Sequence, residues 1–325
     1  MPPTPPNSRV KPPALQSGDT VGIIAPASNI KPELLDAGCK ALRALGYKPF
    51  YFDSILDQDL YFAGSLKRRT QELEDMFLRP EVRAIICARG GYGANYLLNA
   101  IDLQKIKSHA KIFVGYSDIT TLLTYFADAA GLVTFHGPMV AKDFAHVDGV
   151  ESASWNAALG GNSNWAIDLT GVKPLAVGTA EGILYGGCLS MLVASLGTPY
   201  EIQTAGTVLF IEDVATRPYQ IDRMLMQLKL AGKLEGVRGI VFGEMLDCVQ
   251  NKNQSYTLEE VVLRVVGDLR VPIAYGLRSG HVSRGNITLP IGVRAALDVT
   301  SGEVSLRILE PATSATNQKN VQAGT

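Results

Sequence analysis

Ser117 stands where a chain can present a nucleophile. Residues 112–115 form a short apolar run that leads into Ser117 and Asp118, and a helix-like run follows at once. A sharp strand-to-helix turn of this kind exposes the hydroxyl and leaves helix N–H groups free to bind a developing oxyanion. The G-x-S-x-G pattern of such turns is incomplete, because Ile119 replaces the second glycine. Taken alone, the stretch fits a simple helix cap better.

A serine nucleophile needs a general base and an acid that orients it. The histidines of the chain are His109, His136, His146 and His281. His136 closes a strand-like run near the predicted edge of Ser117, whereas His281 lies in a polar, glycine-containing loop, where a catalytic role is more common than in a core. Glu212 and Asp213 together end another apolar run. From the residues alone, either acid could orient the imidazole.

A glycine-rich loop follows a third apolar run, at residues 89–93. It lacks the G-K-[ST] end of a phosphate-binding loop and the full G-x-G-x-x-G spacing of a dinucleotide site. Two interpretations stay open. The loop is a tight turn that needs small residues, or Gly90 and Gly91 present backbone N–H groups to a reacting carbonyl.

The elements around these residues alternate between strand and helix. The patterns predict strands at residues 20–25, 48–52 and 82–88 and helices at residues 32–45 and 65–78. Such repeats predict an α/β fold with a mainly parallel sheet flanked by helices, whose sites lie at the carboxyl ends of its strands.

The second half changes to short apolar segments between turns, and we predict a smaller, β-rich α/β domain there. The predicted units are a disordered leader (1–14), an N-terminal nucleophile domain (15–142), a connecting segment (143–173), a C-terminal domain that carries the glutamate and the histidine (174–310) and a disordered tail (311–325).

Composition excludes several classes of protein. The 325 residues include 30 Lys and Arg against 31 Asp and Glu, so no net field favours nucleic acid or an anionic membrane. No apolar run is long enough to span a bilayer, and the first residues lack the apolar core of a signal peptide. The four cysteines are far apart, which predicts neither a zinc site nor disulfides and fits a reducing compartment.

Together these segments resemble the serine LD-carboxypeptidases, a family that includes the microcin-immunity peptidases. The matching blocks are residues 21–28, 88–93, 114–120, 135–139, 186–190, 209–214, 219–225 and 276–281. The resemblance implies a triad of Ser117, Glu212 and His281, with the backbone of Asp118 and of the Gly90-Gly91 turn as oxyanion donors. It favours Glu212 over Asp213.

The resemblance also implies the reaction. It predicts hydrolysis, without metal or organic cofactor, of the amide between an L-centred diamino acid and terminal D-Ala of murein tetrapeptide during peptidoglycan recycling. A cytoplasmic homodimer with a small peptide or muropeptide substrate, and no nucleic-acid or membrane partner, is the implied setting. One departure is visible: Cys188 replaces an asparagine that is common in the family, which puts a local hydrogen bond in doubt.

The sequence leaves open two alternative functions and the identity of the residue that binds the substrate carboxylate. The alternatives are a peptidase of the same family that cleaves a peptidyl or aminoacyl nucleotide, with Trp155 or Trp165 as an aromatic shelf, and a non-catalytic binding module. An arginine is expected to pair with the substrate carboxylate. The candidates are Arg89, Arg217, Arg278 and Arg284.

Overall fold

The computed structural model describes residues 9–249 and 254–315. Within these ranges the strands are β1 (Thr20–Ile24), β2 (Lys48–Phe50), β3 (Val82–Cys87), β4 (Ile112–Gly115), β5 (Thr134–His136), β6 (Trp165–Ala166), β7 (Lys173–Ala176), β8 (Gly178–Cys188), β9 (Thr207–Glu212), β10 (Gly239–Gly243), β11 (Ile273–Leu277), β12 (Leu289–Ile291), β13 (Arg294–Val299) and β14 (Val304–Ile308). The α-helices are α1 (Pro32–Ala44), α2 (Leu66–Leu78), α3 (Leu103–Ser108), α4 (Thr120–Tyr125), α5 (Ser152–Leu159), α6 (Leu189–Ala194), α7 (Pro218–Leu230) and α8 (Leu258–Val266).

The N-terminal sheet has the order β12-β5-β4-β3-β1-β2. Strands β1 to β5 pair in parallel, as the alternation of strands and helices predicted. Strands β3 and β4 are buried almost throughout, because helices cover both faces of the sheet. The sequence-based prediction of a mainly parallel α/β sheet is confirmed, and the carboxyl ends of β3, β4 and β5 meet at one edge.

The C-terminal sheet has the order β6-β14-β13-β8-β9-β10-β11-β7. Its centre, β8 to β11, is parallel, and the flanking strands run antiparallel. The register pairs Cys188 at the end of β8 with Glu212 at the end of β9. Glu212 therefore lies at the carboxyl edge of this second sheet, where a parallel sheet exposes its functional groups.

The two sheets are joined more closely than the linear division into domains predicts. Strand β12 comes from the C-terminal half of the chain but pairs antiparallel with β5 of the N-terminal sheet, His136 opposite Leu289. The backbone N–H of Cys188 donates to Thr120 Oγ1 at 3.1 Å. Gly187 fits here because a Cβ would lie 2.6 Å from the same hydroxyl. The end of β8 in the second sheet thus contacts Thr120, three residues after Ser117.

Parts of the predicted disordered leader and tail are packed against the fold. The predicted leader covers residues 1–14, of which 1–8 lie outside the described residues. Arg9 is buried, and the N–H of Val10 donates to Gly131 O at 2.7 Å. At the other end Ala312 is buried and the N–H of Ser314 donates to Pro12 O at 2.8 Å. Residues 316–325 of the predicted tail also lie outside the described part.

Candidate active site

Ser117 occupies a strained turn between β4 and α4. Its φ is +63°, a left-handed value that costs a non-glycine residue about 1–3 kcal/mol and that clusters at functional sites. Ile119, the residue that departs from the G-x-S-x-G pattern, packs over Gly115, where a Cβ would lie 2.7 Å from Ile119 Cγ2. Gly115, the first glycine of the pattern, therefore makes room for the side chain of Ile119. Ser117 itself is half-buried.

The glycine loop lies against the serine side chain. A Cβ on Gly90 would approach Ser117 Cβ to 2.9 Å and Oγ to 3.1 Å. Gly91 has a φ of +101°, and a Cβ there would collide with Ser28 Oγ at 2.3 Å. Ser28 Oγ itself accepts from the N–H of Tyr92 at 3.1 Å, which anchors the loop. Only glycine lets this backbone come so close to the hydroxyl.

Asp118 ties the serine turn to the same loop. Its side chain is buried, and Oδ2 accepts from the N–H of Ala94 at 2.7 Å. Burial raises the pKa of the Asp118 carboxyl to about 6, against the opposing effects of the Ala94 N–H and of nearby Arg69. The carboxyl therefore holds the loop in place from a side that solvent does not reach.

Glu212 and His281 form a hydrogen-bonded pair. Glu212 is fully buried at the end of β9, and its Oε2 accepts from His281 Nδ1 at 2.7 Å and from the His281 N–H at 3.0 Å. Gly243 and Gly280 make room for the acid, since a Cβ on either would lie within 2.7 Å of its side chain. This contact places a proton on Nδ1 and leaves Nε2 free for another partner.

Electrostatics favour the charged form of this pair. Burial alone would raise the pKa of Glu212, but the imidazoles of His136 and His281 outweigh it and lower the pKa to about 2. Burial would lower the pKa of His281, yet its bond to Glu212 dominates and raises it above the usual value. A carboxylate that is ionised at neutral pH thus stabilises an imidazolium on His281.

Tyr116 brings the two halves of the site together. Its ring lies edge-on to His281, with centroids 5.1 Å apart, and it directly precedes Ser117. Its hydroxyl donates to Asp143 Oδ1 at 3.4 Å. Among the described residues Ser117 Oγ makes no hydrogen bond, so no bond to His281 is formed in this structure. Catalytic hydrogen bonds of this kind often tighten only when substrate binds.

Asp143 and Asn286 hold the histidine loop, and sequence reasoning missed both. Asn286 Nδ2 donates to Asp143 Oδ1 at 3.3 Å, and its amide also bonds the N–H and C=O of Gly280, at 3.0 and 3.1 Å. Burial raises the pKa of Asp143 to about 6. No motif marked these residues, because the contact joins positions 143 residues apart.

The structure gives Asp213 a different task from that of Glu212. Asp213 Oδ2 accepts from the N–H and the hydroxyl of Ser190, at 3.0 and 2.6 Å, and Oδ1 accepts from Thr216 Oγ1 at 3.0 Å. Asp213 directly follows the end of β9, and these contacts hold its side chain at α6 and at the turn before α7, away from the bond between Glu212 and His281. Asp213 therefore caps the start of α6 and makes no hydrogen bond or ion pair with His281, on which it acts only through its charge.

The arginines and tryptophans proposed to bind substrate differ in burial and in pairing. Arg278 is buried and ion-paired with Asp168, so it is already occupied, whereas Arg89, Arg217 and Arg284 are exposed. Trp155 is a core residue, 1% exposed, whose Nε1 donates to Tyr47 OH at 3.3 Å. It cannot act as a shelf for a nucleobase. Trp165 is half-buried in β6.

In ranges 9–249 and 254–315 no group of three or more His, Cys, Asp or Glu side chains is arranged to hold a metal ion. Across those residues no helix has the length and apolar content needed to cross a bilayer.

Comparison with known proteins identifies the family. Residues 21–137 match the LD-carboxypeptidase N-terminal domain and residues 181–297 the LD-carboxypeptidase C-terminal domain. The chain is 42% identical over 292 residues to the probable murein peptide carboxypeptidase of Bacillus subtilis (strain 168), covering 89% of this chain and 91% of that protein. It is 27% identical over 328 residues to the microcin C7 self-immunity protein of Escherichia coli, covering 90% and 94%.

A solved structure agrees with this assignment. Muramoyltetrapeptide carboxypeptidase from Oxalobacter formigenes superposes with a TM-score of 0.80 at 27% identity, covering 92% of this chain and 100% of that chain. The fold, the order of the two domains and the sequence similarity all agree: this chain belongs to the LD-carboxypeptidase family.

Proposed function

We propose that this protein is a serine LD-carboxypeptidase that removes terminal D-Ala from murein tetrapeptide, with Ser117, Glu212 and His281 as its triad. The observation that carries the proposal is the buried, hydrogen-bonded Glu212–His281 pair beside a strained serine turn. The substrate class is supported by two similar proteins, one named a probable murein peptide carboxypeptidase and the other a muramoyltetrapeptide carboxypeptidase.

The first half of the reaction forms an acyl-enzyme. Ser117 Oγ attacks the carbonyl carbon of the diamino acid, and His281 Nε2 takes the hydroxyl proton. Negative charge moves to the carbonyl oxygen, where we propose that the N–H groups of Asp118 and of Gly90 and Gly91 receive it. The C–N bond then breaks, and D-Ala leaves with the proton that His281 returns.

Water completes the cycle. His281 takes a proton from water, the hydroxide attacks the ester carbonyl, and the tetrahedral adduct collapses to release the tripeptide carboxylate. The proton returns to Ser117 Oγ. Glu212 keeps its negative charge throughout, holds the tautomer and stabilises the imidazolium at both stages. All bonds are made and broken by groups of the chain and water.

The substrate carboxylate needs a cationic partner. Arg278 is the least suitable of the four candidates because Asp168 already pairs with it. We therefore propose that the partner is one of the exposed arginines, Arg89, Arg217 or Arg284. The alternative, a peptidase that cleaves a peptidyl or aminoacyl nucleotide, needs an aromatic side chain against the base. Trp155 cannot supply it because it lies in the core, which leaves Trp165.

Incubation of the purified protein with murein tetrapeptide in the presence of a chelator tests the proposal. We expect release of D-Ala, and no release from the same peptide with a terminal L-Ala. Cleavage of an aminoacyl nucleotide with no action on the tetrapeptide would favour the microcin-immunity alternative, and no cleavage of either would favour a binding module.

The resemblance to the family also leads us to propose a homodimer and a cytoplasmic location. Light scattering on the purified protein tests the first, with a mass of one chain as the contradicting result. Fractionation of the producing cell tests the second, and recovery outside the cytoplasmic fraction would contradict it.

A further inference from the structure

His136 faces one carboxylate oxygen of the triad acid Glu212, and His281 bonds the other. His136 Nε2 lies 3.8 Å from Glu212 Oε1, and both side chains are fully buried. Among the described residues neither of these two atoms has a hydrogen-bond partner, although solvent reaches neither. Buried polar atoms without partners are rare and costly, so two of them facing each other require an explanation.

Hydrogen-bond donors and acceptors around the ring assign one of its protons. The carbonyl of Ile287 can only accept, so the hydroxyl of Ser279, 2.8 Å away, donates to it. The remaining lone pairs of that hydroxyl face His136 Nδ1 at 3.0 Å. Nδ1 must therefore carry a hydrogen and donate to Ser279.

A neutral His136 would conflict with this arrangement. With its proton on Nδ1, the neutral ring turns a lone pair at Nε2 toward a carboxylate oxygen, so that two acceptors face each other in a dry site. A second proton on Nε2 removes the conflict and brings a positive charge to within 3.8 Å of the buried carboxylate. Neutral His281 supplies only hydrogen bonds to Glu212, so without a cation beside it the buried carboxylate would carry an uncompensated charge, which is strongly destabilising.

We propose that His136 is an imidazolium in the resting enzyme and acts as a positioning residue that holds Glu212 ionised and in place. The inference rests on the proposed function insofar as Glu212 is the triad acid. It assigns to Glu212 two cationic partners during catalysis, one permanent and one, His281, that gains and loses its proton.

The surroundings of His136 show which charges act on it. Glu212 is the ionised group at its face on the side of β9, and Phe210 of the same strand packs against the ring at 5.1 Å. On the β4 side the ring of Tyr116 lies at 5.9 Å, and Tyr116 donates in turn to Asp143. The histidine loop contributes Ser279 and, beyond Glu212, His281. Leu289 faces it from β12.

The second cation has a consequence for the base. A positive His136 compensates part of the charge on Glu212, so the carboxylate attracts a proton to His281 less strongly than an unshielded one would. The proton on His281 is thus held less tightly, which favours the neutral ring that accepts the proton of Ser117. Removal of the charge on His136 should therefore move the acid limb of kcat/KM, which reports protonation of His281, to higher pH.

The direct test is nitrogen NMR on protein labelled with ¹⁵N-histidine, at pH 7. The chain has four histidines, so the spectrum is simple. We expect both ring nitrogens of His136 to give protonated-type signals, while His281, whose pKa is raised, keeps a protonated Nδ1 and shows partial protonation at Nε2 that is lost as the pH rises. An unprotonated Nε2 on His136 would overturn the proposal. His136→Gln assigns its signals, and if that variant fails to fold, His109→Gln, His146→Gln and His281→Gln assign them by elimination.

A kinetic test adds a readout that a merely structural role would not move. In His136→Gln the acid limb of kcat/KM for D-Ala release should shift upward by about one pH unit. Thr134→Val in the same buried strand is the matched control and should leave the limb in place. A lower kcat with an unshifted limb would contradict the proposal. If wild-type protein releases no D-Ala, the substrate assignment fails, but the NMR result still decides the charge of His136.

Discussion

Gly90→Ala is the substitution that most specifically tests the oxyanion loop. The added Cβ would lie 2.9 Å from Ser117 Cβ, 3.1 Å from Oγ and 3.3 Å from Tyr116 O. Real Cβ atoms essentially never approach another atom to 2.9 Å, so the loop or the serine must move by a few tenths of an ångström. Gly90 has no positive φ, and the effect of alanine is therefore steric rather than conformational.

The size of the effect follows from what the loop does in the proposed reaction. Loss of one oxyanion donor costs about 10²–10³ in kcat, and a displacement of about 1 Å costs about 10². We expect kcat for D-Ala release to fall by about 10²-fold in Gly90→Ala. Overpacking should lower the free energy of unfolding by only about 1–3 kcal/mol, which leaves the protein folded.

The assay is steady-state release of D-Ala with a denaturation curve for each protein. Gly267→Ala is the matched control, because a Cβ at Gly267 would meet no atom within 4 Å and its φ of −64° suits alanine. A Gly90→Ala enzyme with kcat within twofold of wild type would refute the assignment of this loop to the reacting carbonyl.

Further substitutions separate the roles of the buried polar groups. Glu212→Gln should lower kcat by about 10³–10⁴-fold, whereas Asp213→Asn should cost less than tenfold; equal losses would contradict the choice of acid. The folded state holds the proton of Asp118 up to about pH 6, so the free energy of unfolding falls as pH rises from about 4 to 6. Urea denaturation at pH 4.5 and 7.5 should show a smaller fall for Asp118→Asn, and an equal fall would contradict the assigned burial. Asn286→Ala leaves both backbone groups of Gly280 unpaired and should lower the free energy of unfolding by about 2–4 kcal/mol together with kcat; denaturation with unchanged midpoint would show that the loop does not need this amide.

The strand-and-helix pattern predicted the N-terminal sheet because its signals are local. An apolar run such as β4, followed by a polar turn and a helix, can be recognised from about ten consecutive residues. The place of β12 was not predictable in this way. Its three residues pair with β5 across more than 150 positions, and no periodicity encodes a partner at that distance.

The site was predictable in part. The candidate serine, acid and base came from local context, but the residues alone left Glu212 and Asp213 open, and only the resemblance separated them. The physical difference lies in which face of the strand end each side chain takes, which depends on β8 and α6 being in place. The contacts of His136 with Ser279 and Glu212, on which its proposed role rests, were not predictable either, because they join residues far apart in the chain.

The central claim is that Ser117 is the nucleophile, and release of D-Ala by wild type beside Ser117→Ala tests it most directly. We expect the variant to fold normally and to lose about 10⁴–10⁶ in kcat, because a triad acts as a unit. Turnover near that of wild type in a folded Ser117→Ala protein would contradict the account.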